Sequence, residues 1–367
     1  ALRHSGVDAC LLSTDDHGHT RLDVPLHEWT SYEGIPTYFL PRFRYPLKEF
    51  IYTPGAKKFL KSHIRQYDLV HTHYLFSYLT WTAASSAQKS GIPYIMTPYG
   101  MLAPQAISHR YLKKLLFFQN ERSLLRRAAG IHCSTEEETR NVNGFGVSGN
   151  SFINPYIILE TARIPDAEKR LREKYPVPEE ASILLFLARL HPIKQPELIL
   201  RCVARLKKEG YPMHLLVTGD RHSPYAAELA ALTERLNISR EVTFTGFIQG
   251  EEKNLLYQGA DLYVLPSRTE NFGMTVCEAL EGGTPVLITR EVQIAGDLER
   301  AGGALVSDNN EEDFYNKLLL LLNDTELRTR LAENGRAWVR TRYNPQQVAQ
   351  ELKATYARLI RPPGTRT

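Results

Sequence analysis

The chain has little cysteine and no long apolar run, and these shortages exclude two kinds of architecture. Only four cysteines occur in 367 residues, without the spacing of a metal site. Each lies in an apolar context, so we expect buried free thiols instead of a disulfide framework. They are Cys10, Cys133, Cys202 and Cys277. No apolar run approaches the roughly 18 residues of a membrane span, so no membrane-spanning helix is predicted.

Two further absences concern location and partners. No signal-peptide pattern opens the sequence, and we therefore expect a cytoplasmic protein, at the inner face of the plasma membrane if it meets a membrane at all. No basic-aromatic motif or other nucleic-acid-binding signature occurs, so nucleic acid is not an expected partner.

The positive charge is concentrated in the first part of the chain. Residues 1–158 carry 17 Lys and Arg against 12 Asp and Glu, a net charge of +5, whereas the remainder has a net charge of −1. Much of the excess falls on a predicted long amphipathic helix over residues 104–129. Its basic residues are Arg110, Lys113, Lys114, Arg122, Arg126 and Arg127. This face is either simply solvated or a peripheral contact with an anionic membrane.

Apolar runs of strand length alternate with helical stretches along the whole chain, which indicates an α/β protein with doubly wound sheets. A length of 367 residues favours two domains, and these would face a cleft. We assign residues 1–158 to an acceptor-side domain and residues 159–345 to a ligand-binding domain, with residues 160–181 as the connection. A final helix over residues 346–360 has one apolar face. The predicted strands are residues 9–13, 37–40, 69–72, 94–97 and 130–133, followed by runs near Leu184, Leu215, Val242, Leu262, Val286 and Ala304.

The most informative segment follows the apolar run that ends at Leu265. Glu270 and Glu278 lie on either side of a glycine turn at Gly273 that precedes a helix. The first amides of that helix, at Met274 and Thr275, have no intrahelical acceptor and lie at its positive end, which suits a diphosphate. Two carboxylates would repel phosphate, so they are better placed to accept hydrogen bonds from hydroxyls. A ligand that carries both groups is a nucleotide sugar.

A second segment supplies positive charge. The apolar run over residues 182–187 leads into Arg189, and Lys194 follows near the start of another helix. Ligands of open α/β sheets bind outside the carboxyl ends of the strands, where these two cations are predicted to lie. Arg189 and Lys194 can therefore neutralise a diphosphate.

Taken together, these segments resemble the retaining glycosyltransferases of family four, which have the GT-B fold. The resemblance extends from about Asp68 to Leu359. It depends on four pieces that occur in the family's order: the Arg-Leu-x-Pro-x-Lys segment at 189–194, the strand end at 217–220, the segment 242–247, and the Glu270–Glu278 pair with its Glu-Ala-Leu-x-Gly-Gly-x-Pro-Val tail.

The resemblance implies a role for each matching residue. Glu278 would hold the ribose hydroxyls, Glu270 would approach the donor sugar, and Arg189 and Lys194 would hold the diphosphate. The backbone near Phe247 would meet the base. The remaining predicted donor contacts are Gly219, Asn271, Phe272, Gly273, Met274 and Thr275. The family usually has glycine where this chain has Ala188 and Gln195.

The implied activity is the transfer of a sugar, with retention, from a nucleotide diphosphate sugar to a glycan or lipid-linked acceptor. UDP-glucose is the favoured donor, and bacterial exopolysaccharide or cell-surface glycan synthesis is the expected setting. No cofactor and no metal are expected, because phosphate would be held by cations and helix amides. Two alternatives remain open: a sugar-nucleotide epimerase of the same architecture, and a non-catalytic nucleotide-sugar-binding protein.

The amino-terminal half departs from the family pattern at two places. Family members begin with a strand, a glycine-rich loop and a helix that precede the element at Val7 to Ser13, and we expect this chain to be part of a longer protein. Many also place a histidine where this chain has Tyr99. His73, Tyr99 and Asp15 are therefore the acceptor-side candidates. Asp15, Asp16, His17 and His19 form either a polar turn or, less favourably, a metal site.

Overall fold

The computed structural model describes residues 1–18, 20–44, 51–108 and 111–360. His19, Lys48 and Arg110 lie outside the described residues, as do the side chains of Lys113 and Lys114. The strands are β1 (Leu11–Thr14), β2 (Asp16–His17), β3 (Thr20–Arg21), β4 (Trp29–Tyr32), β5 (Ile35–Leu40), β6 (Phe43–Arg44), β7 (Ile51–Tyr52), β8 (Val70–His73), β9 (Tyr94–Thr97), β10 (Gly130–Cys133), β11 (Ser151–Ile153), β12 (Ser182–Leu187), β13 (Met213–Thr218), β14 (Val242–Gly246), β15 (Leu262–Leu265), β16 (Val286–Thr289) and β17 (Leu305–Ser307).

Helices alternate with most of these strands. They are α1 (Ala56–His63), α2 (Tyr78–Lys89), α3 (Pro104–Ser108), α4 (Tyr111–Arg127), α5 (Glu136–Gly144), α6 (Ala167–Lys174), α7 (Pro196–Lys208), α8 (Pro224–Arg235), α9 (Glu251–Gly259), α10 (Met274–Gly282), α11 (Ala295–Arg300), α12 (Glu311–Asn323), α13 (Thr325–Arg342) and α14 (Pro345–Leu359), with 3-10 turns at Ile64–Gln66 and Pro192–Lys194. In the part of the chain that the structure describes, none of the helices has the length and apolar composition of a membrane crossing.

The chain forms two compact units. The amino unit comprises residues 1–155 and the segment from Pro345 onward, and the carboxyl unit comprises residues 156–344. The final helix, α14, thus returns to the amino unit, as predicted. Within that unit, the Asn154 side chain donates to the Val348 carbonyl at 3.3 Å, and Lys353 Nζ donates to the Ser5 carbonyl at 2.5 Å.

The amino unit contains two main sheets. Parallel strands β11, β10, β9 and β8 form one sheet in that order, and β1, β5 and β4 form the other, in which β4 is antiparallel. Strands β9 and β10 are buried along their whole length, which agrees with their continuous apolar composition. All five strands predicted here exist. The expectation of a further amino-terminal strand stays a prediction.

The carboxyl unit is built on one six-stranded parallel sheet, in the order β14-β13-β12-β15-β16-β17. All six predicted strands exist, and β12 pairs with β13 over six consecutive residues. The strand order reverses between β12 and β15. Strands β13 and β14 are added on one side of β12, and β15, β16 and β17 are added on its other side. Such a switch point, where consecutive loops leave the sheet on opposite faces, is the usual ligand site of an open α/β sheet.

Several predictions about segments were wrong or incomplete. The segment 160–181, predicted as a connection, contains α6, because its prolines at 165, 176 and 178 flank the helix instead of interrupting it. Helix α6 packs on α9 so closely that a Cβ on Gly259 would lie 2.8 Å from the Ala167 carbonyl oxygen. Strand β4 and the short hairpins β2-β3 and β6-β7 were not predicted, because their runs are too short and too polar to show a strand period.

The cysteine prediction is confirmed for three of the four residues. All four thiols are free, and Cys133, Cys202 and Cys277 are buried, but Cys10 is only half-buried. Burial raises the pKa of the Cys133 and Cys202 thiols to about 12, so both stay protonated and unreactive at neutral pH.

Helix α13 supports α10 through a close glycine contact that yields a first prediction. A Cβ on Gly335 would lie 2.4 Å from Leu280 Cδ2 and 2.7 Å from the Gly303 carbonyl. We expect Gly335→Ala to lower the free energy of unfolding by about 1–3 kcal/mol through overpacking. Urea unfolding of the purified protein measures this change.

Gly296→Ala is the matched control for that substitution. Gly296 is also helical, and its Cβ would meet only the end of the Arg300 side chain, at 3.5 Å. This variant should be neutral or more stable by about 0.4–1 kcal/mol, because alanine restricts the unfolded chain. Equal stability of the two variants would contradict the close-packing explanation.

Candidate functional site

Two loops meet at the switch point of the carboxyl unit. One follows β12 and contains Arg189 and Lys194, and the other follows β15 and contains Glu270. The loops are tied by backbone contacts: the Arg268 amide donates to the Ile193 carbonyl at 2.8 Å, and Gln195 Nε2 donates to the Pro266 carbonyl at 2.7 Å. The structure therefore brings together the two segments that the sequence singled out.

Lys194 and Glu270 form an ion pair between these loops. Their side chains are only 12% and 21% exposed. The backbone of Glu270 is also fixed, because its amide donates to the Glu291 carbonyl at 3.2 Å and its carbonyl accepts from the Gln293 amide at 3.2 Å. The sequence predicts that Lys194 neutralises a diphosphate, but in the structure its charge is already paired with a carboxylate. It is half of a nearly neutral pair.

Arg189 differs from Lys194 in this respect. It is exposed at the end of β12, and it forms no ion pair with a carboxylate in the described part of the chain. It therefore supplies positive charge without a carboxylate partner from the same loop that carries Lys194.

The amino terminus of α10 is built by a glycine with left-handed backbone. Gly273 has φ +96°, and a Cβ at this position would lie 3.1 Å from Val292 Cγ1. The amides of Val276 and Cys277 donate to the Gly273 carbonyl at 3.0 and 3.1 Å. The amides of Met274 and Thr275 precede this first turn, so they are the ones directed away from the helix and available to an anion.

The hydroxyl of Thr275 already accepts a hydrogen bond from a residue of the sheet. Tyr263, fully buried in β15, donates to Thr275 Oγ1 at 2.7 Å. This contact fixes the first turn of α10 on the end of β15. Thr275 can therefore contribute its backbone amide to a ligand while its side chain holds the helix in place.

Glu278 has two protein partners that sequence reasoning missed. Its Oε1 accepts from Lys253 Nζ at 2.7 Å, and its Oε2 accepts from the Tyr257 hydroxyl at 2.9 Å. Burial raises the pKa of Tyr257 well above its ordinary value, so this hydroxyl stays a donor. Lys253 and Tyr257 are four residues apart on α9 and so share one face. That spacing was the available signal, but nothing in the sequence showed that the face meets α10.

Gln195 occupies the position where the resemblance led us to expect glycine, and its backbone retains the glycine-like conformation, with φ +50°. A non-glycine residue there costs about 1–2 kcal/mol. Its buried side chain offsets that cost by donating to Pro266 and to Asn309 Oδ1 at 2.6 Å, and by accepting from Arg268 Nε at 2.9 Å. The glutamine therefore joins three loops around the site.

The other predicted donor contacts lie nearby but differ in what they can offer. The ring of Phe272 is buried against Tyr156 and Tyr343, so only its backbone can face a ligand. Asn271, next to it, is half-buried. Phe247 follows β14 and its side chain is 74% exposed.

Gly219 is explained by packing. A Cβ at this position would lie 2.6 Å from the Ala188 carbonyl oxygen, so glycine lets the end of β13 approach the loop that carries Arg189. Gly219 would therefore contribute to a donor site indirectly, by allowing the backbone after β13 to lie close to the backbone after β12.

In the amino unit, His73 and Tyr99 are in contact, with Nδ1 of His73 2.9 Å from the Tyr99 hydroxyl. Tyr99 has φ +52° and stacks on Tyr74, with ring centroids 4.7 Å apart. Burial lowers the pKa of His73 to about 4 and raises the pKa of Tyr99 to about 12. At neutral pH both groups are uncharged, so this pair can offer a ligand hydrogen bonds and a stacking surface but no charge.

Two further histidines, which we had not singled out, lie beside His73. His71 stacks on His73 at 4.5 Å between centroids, and its Nε2 lies 2.7 Å from Thr97 Oγ1. His132 Nδ1 lies 3.3 Å from the same hydroxyl. Burial lowers the pKa of both His71 and His132, so the cluster is neutral. It comes from the carboxyl ends of β8, β9 and β10, which the sequence could place on one edge but not in contact.

Asp15 has a structural role in the fold. It is buried, and its Oδ1 accepts from the Arg42 amide at 2.6 Å while Oδ2 accepts from Arg21 at 3.4 Å. These contacts hold the loop after β1, and with the side chain only 2% exposed they give Asp15 a structural role; its place among the acceptor-side candidates stays a prediction. Among the residues described, none of the groupings of His, Cys, Asp and Glu has the arrangement of a metal site.

Comparisons with known proteins agree with this architecture. A family model described as "Glycosyl transferases group 1" matches residues 167–338, and one described as "Glycosyl transferase 4-like domain" matches residues 1–152. A D-inositol 3-phosphate glycosyltransferase of Corynebacterium urealyticum is 27% identical over 346 residues, covering 89% of this chain and 79% of the relative.

Two solved structures are similar in fold. Sucrose-phosphate synthase of Thermosynechococcus elongatus has a TM-score of 0.75 at 21% identity, covering 95% of this chain and 88% of the other. HepE of Anabaena, solved in complex with UDP-glucose, has a TM-score of 0.76 at 17% identity, covering 95% and 99%. The two family models and this fold together identify the chain as a glycosyltransferase with the GT-B fold.

Proposed function

We propose that the protein transfers a hexose, with retention of anomeric configuration, from a UDP-sugar to a hydroxyl of a glycan or lipid-linked acceptor. UDP-glucose is the favoured donor, and the proposed setting is the synthesis of an exopolysaccharide or another cell-surface glycan on the cytoplasmic side of the membrane. The observation that carries this proposal is the arrangement around α10, where two compensated carboxylates flank the free first-turn amides.

The charges of the site suit a ligand with a diphosphate at its centre and hydroxyls at both ends. Glu270 is compensated by Lys194, and Glu278 by Lys253, so neither carboxylate strongly repels a nearby phosphate. Arg189 and the amides of Met274 and Thr275 remain for the diphosphate. A carboxylate oxygen with one donor keeps a second lone pair, so Glu278 can also accept from ribose hydroxyls and Glu270 from sugar hydroxyls.

The proposed reaction needs no protein nucleophile. The bond from the anomeric carbon to the diphosphate oxygen breaks, and the acceptor oxygen bonds to the same face of that carbon. The acceptor proton passes to an oxygen of the departing diphosphate. Arg189, Lys194 and the α10 amides would stabilise the charge that develops on that diphosphate.

The donor and acceptor are inferred from similarity and composition. The Anabaena structure contains UDP-glucose, and the Corynebacterium relative is named for a phosphorylated polyol acceptor. The +5 charge of residues 1–158 favours an acceptor, or a surrounding membrane surface, that is anionic.

The first functional prediction concerns Glu278. Glu278→Gln removes one acceptor oxygen and leaves Lys253 without its counter-charge, so we expect UDP to bind about 5- to 100-fold more weakly. Isothermal titration calorimetry with UDP measures this loss. Glu291→Gln, which removes an exposed carboxylate near the same site, is the control and should bind UDP as the wild type does. Unchanged affinity in Glu278→Gln would refute its role on the ribose.

The second prediction tests the Lys194–Glu270 pair. Lys194→Met leaves the Glu270 carboxylate uncompensated beside the diphosphate, so it should weaken UDP binding and lower kcat by about 100-fold or more. Adding Glu270→Gln removes that repulsion, so the double variant should bind UDP more tightly than Lys194→Met alone while turnover stays low. A double variant that binds no better than Lys194→Met would show that the two side chains act independently.

The third prediction concerns metal dependence. Because arginine, lysine and helix amides would hold the diphosphate, we expect full activity in excess EDTA. Chromatographic detection of UDP and of the glycosylated product avoids metal-dependent coupling enzymes. Loss of activity in EDTA that magnesium restores would contradict this prediction. The same chromatogram separates the alternatives, since an epimerase would convert the donor without an acceptor and a binding protein would leave it unchanged.

A further inference from the structure

We propose that a cavity in the amino unit holds the hydrocarbon chain of an anionic membrane phospholipid, whose phosphate binds Arg122 and Arg126. The cavity lies among α3, α4 and α5 and the residues that follow α5. This proposal rests on the part of the proposed function that places the protein at a membrane, and it adds a specific lipid site. It is tested by binding alone and does not depend on sugar transfer.

The cavity has the size and the walls of a site for an apolar chain. Its volume is about 680 Å3, within the usual range for ligand pockets. Leu102, Ile107, Phe118 and Phe145 supply apolar walls. Gln119, Arg140 and Asn141 supply the polar part of the lining, so a hydrocarbon chain would pack along the apolar side of the cavity.

Arg122, which lines the cavity, meets Arg126 over an exposed glycine that follows the lining residue Phe145. An atom at the Cβ position of Gly146 would lie 3.7 Å from Arg122 Nε and 3.7 Å from Arg126 Nη2. The Arg126 Nε donates to the Gly146 carbonyl at 3.1 Å, and the Arg122 guanidinium lies over the Phe145 ring at 5.1 Å. Both side chains therefore point at one small, open patch of surface.

No carboxylate of the described residues neutralises this pair. Neither Arg122 nor Arg126 forms an ion pair there, and the buried Nε of Arg122 has no hydrogen-bond acceptor. The neighbouring Arg140, in contrast, donates to Glu137 Oε2 through Nε at 2.9 Å and Nη2 at 2.6 Å. Two like charges beside an unsatisfied donor favour an anion that can accept from both guanidinium groups, as a phosphate does.

The junction between charge and apolar wall selects a lipid over a free phosphate. Phe145 is both a wall of the cavity and the ring beneath Arg122. A phosphate on the two arginines therefore lies directly at the mouth of the apolar space, where an attached chain can enter. Basic residues on a helix that faces an anionic membrane would add to this attraction.

Alkyl phosphates below their micellar concentration test the proposal directly. Calorimetric titration of the full chain with butyl, hexyl and octyl phosphate should show an affinity that rises about fourfold per added methylene, since each methylene is buried. Inorganic phosphate should bind far more weakly than octyl phosphate. Equal binding of the two would identify a soluble-anion site and overturn the lipid assignment.

Two variants separate the charged rim from the cavity. Arg122→Gln/Arg126→Gln should weaken octyl phosphate binding about thirtyfold, whereas Arg170→Gln/Arg235→Gln, on exposed positions of the carboxyl unit, should leave it unchanged. Gly144→Phe projects a ring into the cavity without a clash, because a Cβ there meets nothing within 4 Å. It should abolish the dependence on chain length while inorganic phosphate binding is retained.

Flotation with vesicles of phosphatidylcholine and phosphatidylglycerol links the site to a membrane. Wild type should float with vesicles that contain phosphatidylglycerol, and both site variants should float less. Thermal unfolding and UDP titration confirm that each variant is folded with an intact carboxyl unit, so a failure here is distinguishable from a failure of the donor assignment. Binding that is independent of chain length, or a Gly144→Phe variant that behaves as wild type, would overturn the proposal.

Discussion

The ion pair between Lys194 and Glu270 is the interaction on which the donor-side arrangement depends. It joins the loops that follow β12 and β15, the two neighbouring strands between which the strand order reverses. Loops at such a point leave the sheet on opposite faces and would otherwise diverge. The pair, together with the side chain of Gln195, holds the end of one loop against the start of the other. Arg189 and the amino terminus of α10 are thereby placed at one edge of the sheet.

The two glutamates at this edge of the sheet, Glu270 and Glu278, are each paired with a lysine. A bare pair of glutamates beside a diphosphate would oppose binding, yet hydroxyl recognition needs strong acceptors. The fold gives Glu270 and Glu278 one lysine each, at partly buried positions where the attraction is less screened than in water, and this pairing would reduce their repulsion of a diphosphate. The carboxylates keep their hydrogen-bonding capacity while the local net charge remains slightly positive through Arg189.

The sequence predicts the sheet of the carboxyl unit well because its strands are continuous apolar runs that end at polar loops. The strand ends also identify Arg189 and Glu270, since residues that follow parallel strands share one edge. The sequence does not predict the Lys253–Glu278 contact, because 25 residues and a strand separate the two side chains, and only the packing of α9 on α10 brings them together. Asp15 illustrates a second limit of the sequence. Its position in a polar turn after a strand does not reveal that the carboxylate is buried and accepts from Arg42 and Arg21 within the fold.

The two units differ in the charge of the groups at their strand ends. In the carboxyl unit these groups are charged, whereas in the amino unit His71, His73 and His132 have lowered pKa values and are linked by stacking and by the Thr97 hydroxyl. Such a neutral cluster can offer hydrogen bonds and shape to a ligand but no charge. Positive charge that no carboxylate of the described residues neutralises lies on helix α4 of the same unit, at Arg122 and Arg126. The amino unit therefore separates its neutral polar groups, at the strand ends, from this pair of cations on a helix.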